Sequence, residues 1–253
     1  MRTITLAALG GAMAAAQAQQ PWSPTAVFLP DQPQLEAKAV DLLQRMSATL
    51  AAARTLSFTS VATYESPART GQPLAYMVKS EVALERPDQL RVLALGDGPR
   101  SEFYYDGKTV MAYTPSADMV AVAQAPATID QTLKAAYDFA AIYFPFTDVI
   151  VADPWRDLEP RLRLAFYMGQ SKVVGGTRTD IVVIASDTAQ AQIWIGDDDH
   201  LPRRIGATYF QERGNYRHDA ELSDWKIDPR LAAGSFSSEK AENARHIPFA
   251  PPA

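Results

Sequence analysis

Between Gln34 and Arg54 the apolar positions Leu35, Leu42, Leu43, Met46, Leu50 and Ala53 recur at helical spacing, with Glu36, Lys38, Asp41, Gln44 and Arg45 mostly elsewhere. That periodicity predicts one amphipathic helix, which needs a sheet to lie on. Period-two segments follow at Leu56–Tyr64, Leu74–Leu84, Gln89–Leu95, Glu102–Tyr105 and Lys108–Tyr113, an antiparallel meander. Asp106-Gly107 predicts a tight type I′ hairpin, because that turn needs positive φ at both central residues. In Leu74–Leu84 the apolar set is Leu74, Tyr76, Val78, Val82 and Leu84, opposite Lys79, Glu81 and Glu85, so one face is expected to be wet. Arg86-Pro87 interrupts the pattern, since proline has no amide N–H for a sheet ladder.

A second helical region starts at "PATIDQTL", where Thr128 can cap and Gln131 completes a capping box; Pro145 ends it. Ile129, Leu133, Ala136, Tyr137 and Ala140 form one stripe, and Phe139, Ile142, Tyr143, Phe144 and Phe146 cover much of the remaining circumference. A helix apolar nearly all round is expected to be buried on two sides. A short helix or turn is expected around Asp153–Leu158. Alternation then resumes at Leu162–Val174, Thr177–Ala185, Gln190–Ile195, Arg203–Glu212 and Tyr216–Ile227, with the inward set of the first read as Leu162, Leu164, Phe166 and Met168. Roughly ten strands thus enclose one helical insertion, a mainly antiparallel β protein with helices (α+β). So large a sheet is expected to curl, leaving an apolar concavity that the insertion can fill.

The opening "MRTITLAALGGAMAAAQAQQ" has one early positive charge, an apolar run and the pattern Ala16-Gln17-Ala18, which predicts a secretory signal over residues 1–18 cleaved after Ala18. The run is too short and too rich in Ala and Gly for a membrane anchor. Residues 19–33, with prolines at 21, 24, 30 and 33, read as an extended arm, and 34–253 as one domain. There is no cysteine, so neither disulfides nor a lipidated N-terminal cysteine exist. A net charge of -5 argues against nucleic acid, and no basic amphipathic segment favours stable membrane insertion. The mature chain is expected to be a periplasmic monomer.

Candidate chemistry is sparse. Asp197-Asp198-Asp199-His200 lacks the ligand alternation and central glycine of a calcium loop and reads as an acidic hairpin turn, so no metal is expected. His218 shares a strand face with Tyr216, Ala220 and Leu222, as a partly buried structural histidine would. No Gly-x-Ser-x-Gly elbow occurs, and neither Gly96-Asp97-Gly98 nor Gly175-Gly176 opens a phosphate-holding helix. No catalytic residue and no cofactor are predicted.

"LERPDQLRV" followed by "SEFYYDGKTVMAYTP" (Leu84 to Pro115) resembles the LolA/LolB superfamily of periplasmic lipoprotein carriers, in which an Arg-Pro strand junction precedes an Asp-Gly hairpin and an aromatic strand. Ser235-Phe236 through Ile247-Pro248-Phe249 is similar to that superfamily's closing segment, and "QAPATIDQTL" and "QIWI" resemble an uncharacterised branch of predicted periplasmic proteins. The resemblance implies an incomplete β-barrel whose concave face is covered by an N-terminal helix and the central insertion. It also implies a hydrophobic or acylated ligand and, for Arg86, the part of a latch bonding a lid. The insertion and inter-strand segments are longer than in LolA, and Thr179-Asp180-Ile181 stands where relatives carry a histidine, so lipoprotein transfer does not follow.

On this reading the ligand is lined by Tyr76, Val78 and Val92 from the first meander, Leu133 and Tyr137 from the insertion, and Phe166 and Met168 from the second meander. A buried methylene contributes about 0.8 kcal/mol, so full enclosure of a chain needs a movable plug for release. Two functions remain open: a carrier for hydrophobic or acylated molecules, and a non-enzymatic envelope sensor or protein-interaction module on the same fold.

Overall fold

The computed structural model describes residues 29–140, 142–210 and 215–249. The signal segment and most of the arm lie outside them. Thirteen strands and five α-helices occur among the described residues, in the order β1 (Gln34–Leu35), α1 (Ala37–Ala52), β2 (Thr55–Pro67), β3 (Pro73–Glu85), β4 (Gln89–Gly96), β5 (Ser101–Tyr105), β6 (Thr109–Thr114) and β7 (Met119–Gln124). Next come α2 (Ile129–Ala140), α3 (Thr147–Ile150), α4 (Pro154–Leu158), β8 (Leu164–Ser171), β9 (Thr179–Ala185), β10 (Ala189–Gly196), β11 (Pro202–Tyr209), β12 (Arg217–Ile227), α5 (Glu239–Glu242) and β13 (Arg245–Ile247). All strands share one sheet, ordered β1-β8-β9-β10-β11-β12-β2-β3-β4-β5-β6-β7-β13. Two antiparallel meanders join through β12 and β2, and the sheet stays open. Its edges carry the short parallel strands β1 on β8 and β13 on β7, which leave little unpaired backbone there.

The first helix packs as its spacing predicts, with Leu42, Leu43, Met46 and Leu50 buried. They meet the concave face of the first meander, where Leu84, Val82, Leu90, Val92, Phe103 and Tyr105 alternate inward. Glu36 and Lys38 fix the helix start on β8: the Glu36 carboxylate accepts from the Tyr167 amide at 2.9 Å, and Lys38 Nζ lies 3.3 Å from the Tyr167 ring centre. The last of the arm is tied down as well, since Arg163 donates to the carbonyls of Pro30 and Asp31 at 3.0 Å.

The C-terminal segment passes to the convex face. There α5, capped by Ser238, sets Ala241 and Ala244 against Tyr104, Met111, Tyr113 and Val120. Phe249 then packs against the concave core.

Three expectations change. The Asp106-Gly107 turn has positive φ only at Gly107, and Asp106 Oδ1 accepts from the amides of Lys108 and Thr109, so the loop is a three-residue Asx turn rather than type I′. The inward residues of β8 are Ala165 and Tyr167, not Leu164, Phe166 and Met168. Helix α1 lies directly on this strand, where only a side chain as small as Ala165 fits beneath it. A register shift between Tyr167 and Gly169 ends the face. Nor is the insertion one helix buried on two sides. Helix α2 buries only its first turn, through Ile129, Thr132 and Leu133, whereas Tyr137 and Phe139 are 60% and 73% exposed. Helix α2 ends at Ala140, residues 142–144 are not helical, and Phe144 and Phe146 turn into the concavity. Phe146 meets Phe58 edge-on at 5.5 Å, and Phe144 meets Phe103 at 5.3 Å. Burying a phenylalanine this fully contributes about 2–3 kcal/mol.

Candidate functional site: a lidded cavity in the second meander

The two halves of the concave face are furnished differently. The first meander presents large side chains, and the helices fill it. Strands β10, β11 and β12 present Ala189, Ala191, Ala207 and Ala220 at alternate positions, with Ile193 and Ile205 between them. Alanines leave space that α1, α3 and α4 do not reach. A cavity of about 330 Å³ results, roofed by Leu43 and Met46 of α1, by Phe146 and Val149, and by Trp155 and Leu158. Small-molecule sites are typically about 300–1,000 Å³.

The roof is held by main-chain groups. Arg86 Nη1 donates to the Ile150 carbonyl at 3.0 Å and Nη2 to the Leu50 carbonyl at 3.4 Å, joining the ends of α3 and α1. Its Nε is buried without a partner. Burial lowers the guanidinium pKa from its ordinary value, and the nearby Asp130 carboxylate opposes that shift. The cis Arg86-Pro87 peptide turns β3 into β4 here, and the Pro87 carbonyl accepts from the Ile129 amide at 2.9 Å, seating the start of α2. Asp130 accepts from the Ala152 amide at 3.1 Å. Ser47 Oγ, buried in α1, accepts from the Trp155 amide at 2.8 Å and so fixes α4.

One wall of the cavity is polar and aromatic. His218 lies 4.9 Å from the Tyr209 ring, 6.0 Å from Tyr64 and 6.1 Å from Tyr143. Tyr143 keeps part of its surface exposed, yet desolvation by its surroundings first, then the hydrogen-bonded Tyr209, pushes its hydroxyl far above its ordinary range. Asp148 of α3 lines the cavity at an exposed position. Desolvation by the surrounding protein raises its pKa, with Arg161 acting in the opposite sense and Asp157 reinforcing the rise. Asp219 is engaged by Arg204 through bonds of 3.0 and 2.6 Å.

The seven residues read from the sequence as ligand-lining are not brought together, and none lines this cavity. Val92 and Leu133 are solid core in the filled half. Tyr76 and Val78 sit beyond Tyr64 along a shallow groove. Tyr137 is exposed on α2, and Phe166 and Met168 are on the convex face. The cavity residues were hard to find because alanine carries almost no hydrophobic signal; their alternation in three neighbouring strands was the available clue. His218, read as structural, stands in the cavity wall. The acidic turn spends its carboxylates on arginines, Asp197 with Arg178 and Asp199 with Arg203. Among the described residues no three His, Asp or Glu side chains gather as metal ligands. Nor is any described helix long and apolar enough to cross a membrane.

An open, mostly antiparallel sheet curves around an N-terminal helix and the inserted segment, with the Arg-Pro junction bonded to that segment, the incomplete barrel that the resemblance to the LolA/LolB superfamily implies. The family model "Predicted periplasmic protein (DUF2092)" matches residues 39–250, and the chain belongs to that family of predicted periplasmic proteins. Among solved structures it is similar to an uncharacterized conserved protein from Thermus thermophilus, at 12% identity and a TM-score of 0.49 over 83% of this chain and 99% of that one. It is also similar to the Pseudomonas aeruginosa MucA/MucB complex structure, at 18% identity and a TM-score of 0.44 over 80% of this chain and 61% of that one. The LolA superfamily protein NE2245 from Nitrosomonas europaea matches at 9% identity and a TM-score of 0.36, over 79% and 98% of the two chains. No curated protein sequence matches this chain at a significant level.

Proposed function

We propose that the protein is a non-enzymatic envelope sensor or interaction module whose half-barrel encloses one small amphiphile. The observation that carries this reading is the division of the concave face. Phe144, Phe146 and Ile150 of the chain itself fill the first half, and only about 330 Å³ stays open in the second. That space suits one short aliphatic chain and is too small for several long ones. At its mouth Tyr143 remains exposed, with the exposed Tyr137 of α2 beside it at 6.5 Å between ring centres, an apolar surface of the kind that marks contact sites. In this reading ligand occupancy sets how firmly the Arg86-tethered roof sits, and the mouth reports it to a partner protein in the periplasm.

A carrier of acylated molecules is the second reading, supported by the apolar cavity under a tethered roof. It requires the Phe144–Phe146 segment to leave the concavity as ligand enters. Hydrogen exchange with and without bound ligand separates the two. A sensor keeps residues 144–146 protected in both states and, within 144–151, changes protection only at the Arg86-bonded residues 147–151; a carrier loses protection at 144–146 when loaded. Pull-down from an envelope extract with Tyr137→Asp as control tests the partner surface, and equal capture by both proteins would remove the mouth from the account.

A further inference from the structure

We infer that Asp130 couples helix α2 to the cavity roof, so that a ligand under the roof and a partner protein seated on α2 strengthen each other's binding. The inference rests on the reading above that the cavity takes a ligand and the mouth a partner, and it supplies the bond through which each acts on the other. Residues 150–152, at the end of α3, are gripped from two sides. Arg86, just past the end of β3, donates Nη1 to the Ile150 carbonyl at 3.0 Å. Asp130, in the first turn of α2, accepts from the Ala152 amide at 3.1 Å through Oδ1 and 3.2 Å through Oδ2. One grip takes an acceptor of the roof and belongs to the sheet; the other takes a donor and belongs to a helix. The two side chains lie close enough for their charges to act on each other.

Helix α2 has a fixed start and an open second half. Ile129, Thr132 and Leu133 are buried, and the Ile129 amide donates to the Pro87 carbonyl at 2.9 Å. Tyr137 stands 60% exposed, about 10 Å along the helix axis from Asp130. On the roof side Val149 and Val151 line the cavity, so a ligand packed against them bears on the peptide whose N–H Asp130 holds. Ligand contact steadies Ala152 and partner contact steadies α2, so each orders one side of the same bond. Whichever binds second has less disorder to remove, which makes the coupling positive. Linkage requires the same factor in both directions.

Hydrogen exchange of the full mature chain, with and without the neutral fluorophore N-phenyl-1-naphthylamine as cavity probe, tests the coupling. Saturating probe is expected to slow exchange at residues 131–140 about fivefold or more, the low end of coupling between sites. Asp130→Ala should abolish that slowing while still binding the probe in a fluorescence titration. Asp130→Asn keeps an acceptor oxygen and should restore the slowing. Ala152→Pro removes the same N–H from the roof side and keeps the test decisive if Asp130→Ala folds poorly. Val151, at φ -58 and ψ 160, already has the extended geometry that precedes proline. Faster α2 exchange in Asp130→Ala by an equal factor with and without probe, the slowing intact, would make Asp130 a stabiliser of the helix start through its dipole and overturn the coupling. Probe bound with α2 exchange unchanged in the parent protein also overturns it and leaves the ligand cavity standing. No binding of the probe overturns the cavity reading and the coupling together.

Discussion

Arg86 holds the roof through carbonyls alone, and carbonyl acceptors neither titrate nor change rotamer. Two such bonds from one charged group join Leu50 and Ile150, which are far apart in sequence. Arg86→Met keeps the stem and removes the donors, leaving two acceptors unsatisfied. It should lower unfolding free energy by about 2–3 kcal/mol in urea titrations. Hydrogen exchange should rise first at residues 147–158, with β2 and β3 unchanged. Uniform destabilisation without that local signature would make Arg86 a general structural residue. Asp148 offers a second test at this scale. Its side chain is exposed, yet desolvation by the surrounding protein raises its folded pKa, so between the ordinary carboxylate value and that raised value the native state holds more protons than the unfolded state. Stability therefore falls as pH rises through that window. Asp148→Asn should be more stable than the parent at neutral pH, and the gain should vanish as pH falls below about 4. Thermal melts across pH check it, and a variant less stable at pH 7 would contradict the sign.

At the scale of elements, the strands with one wet face were legible because alternation survives in them. β7 was not, since Val120 lies under α5 and Ala121 on the other face, so its run is apolar throughout. β1 and β13 are two and three residues long, and pairing creates them rather than propensity. The lid was legible as a bulky insertion but not as a broken one: its aromatic circumference predicted two-sided burial, whereas α2 ends and frees Phe144 and Phe146 to turn inward. Phe139 is a consequence of that break. Because it is largely exposed, Phe139→Asp should change stability by no more than about 0.5 kcal/mol, whereas Tyr137→Asp, beside the mouth, should lower partner capture. Ser47→Ala, at the α1–α4 contact, should cost about 1–3 kcal/mol by leaving the Trp155 amide unpaired. A neutral Ser47→Ala in urea titration would mean that α4 is held by packing alone.

For the whole molecule, the half-barrel and the Arg-Pro junction could be read from sequence, and the location of the empty space could not. Large apolar residues advertise a core and thereby drew attention to the filled half. The cavity is a property of what is missing, small side chains recurring across β10, β11 and β12 under a roof that other elements build. Its ligand role is the central claim and can be tested directly. Native mass spectrometry of the protein exported to a bacterial periplasm and purified without detergent should reveal one bound amphiphile, released on denaturation. The same preparation of Ala207→Phe, which fills the cavity from β11, should be folded and empty. A parent protein without ligand, or a ligand retained by folded Ala207→Phe, would contradict the account.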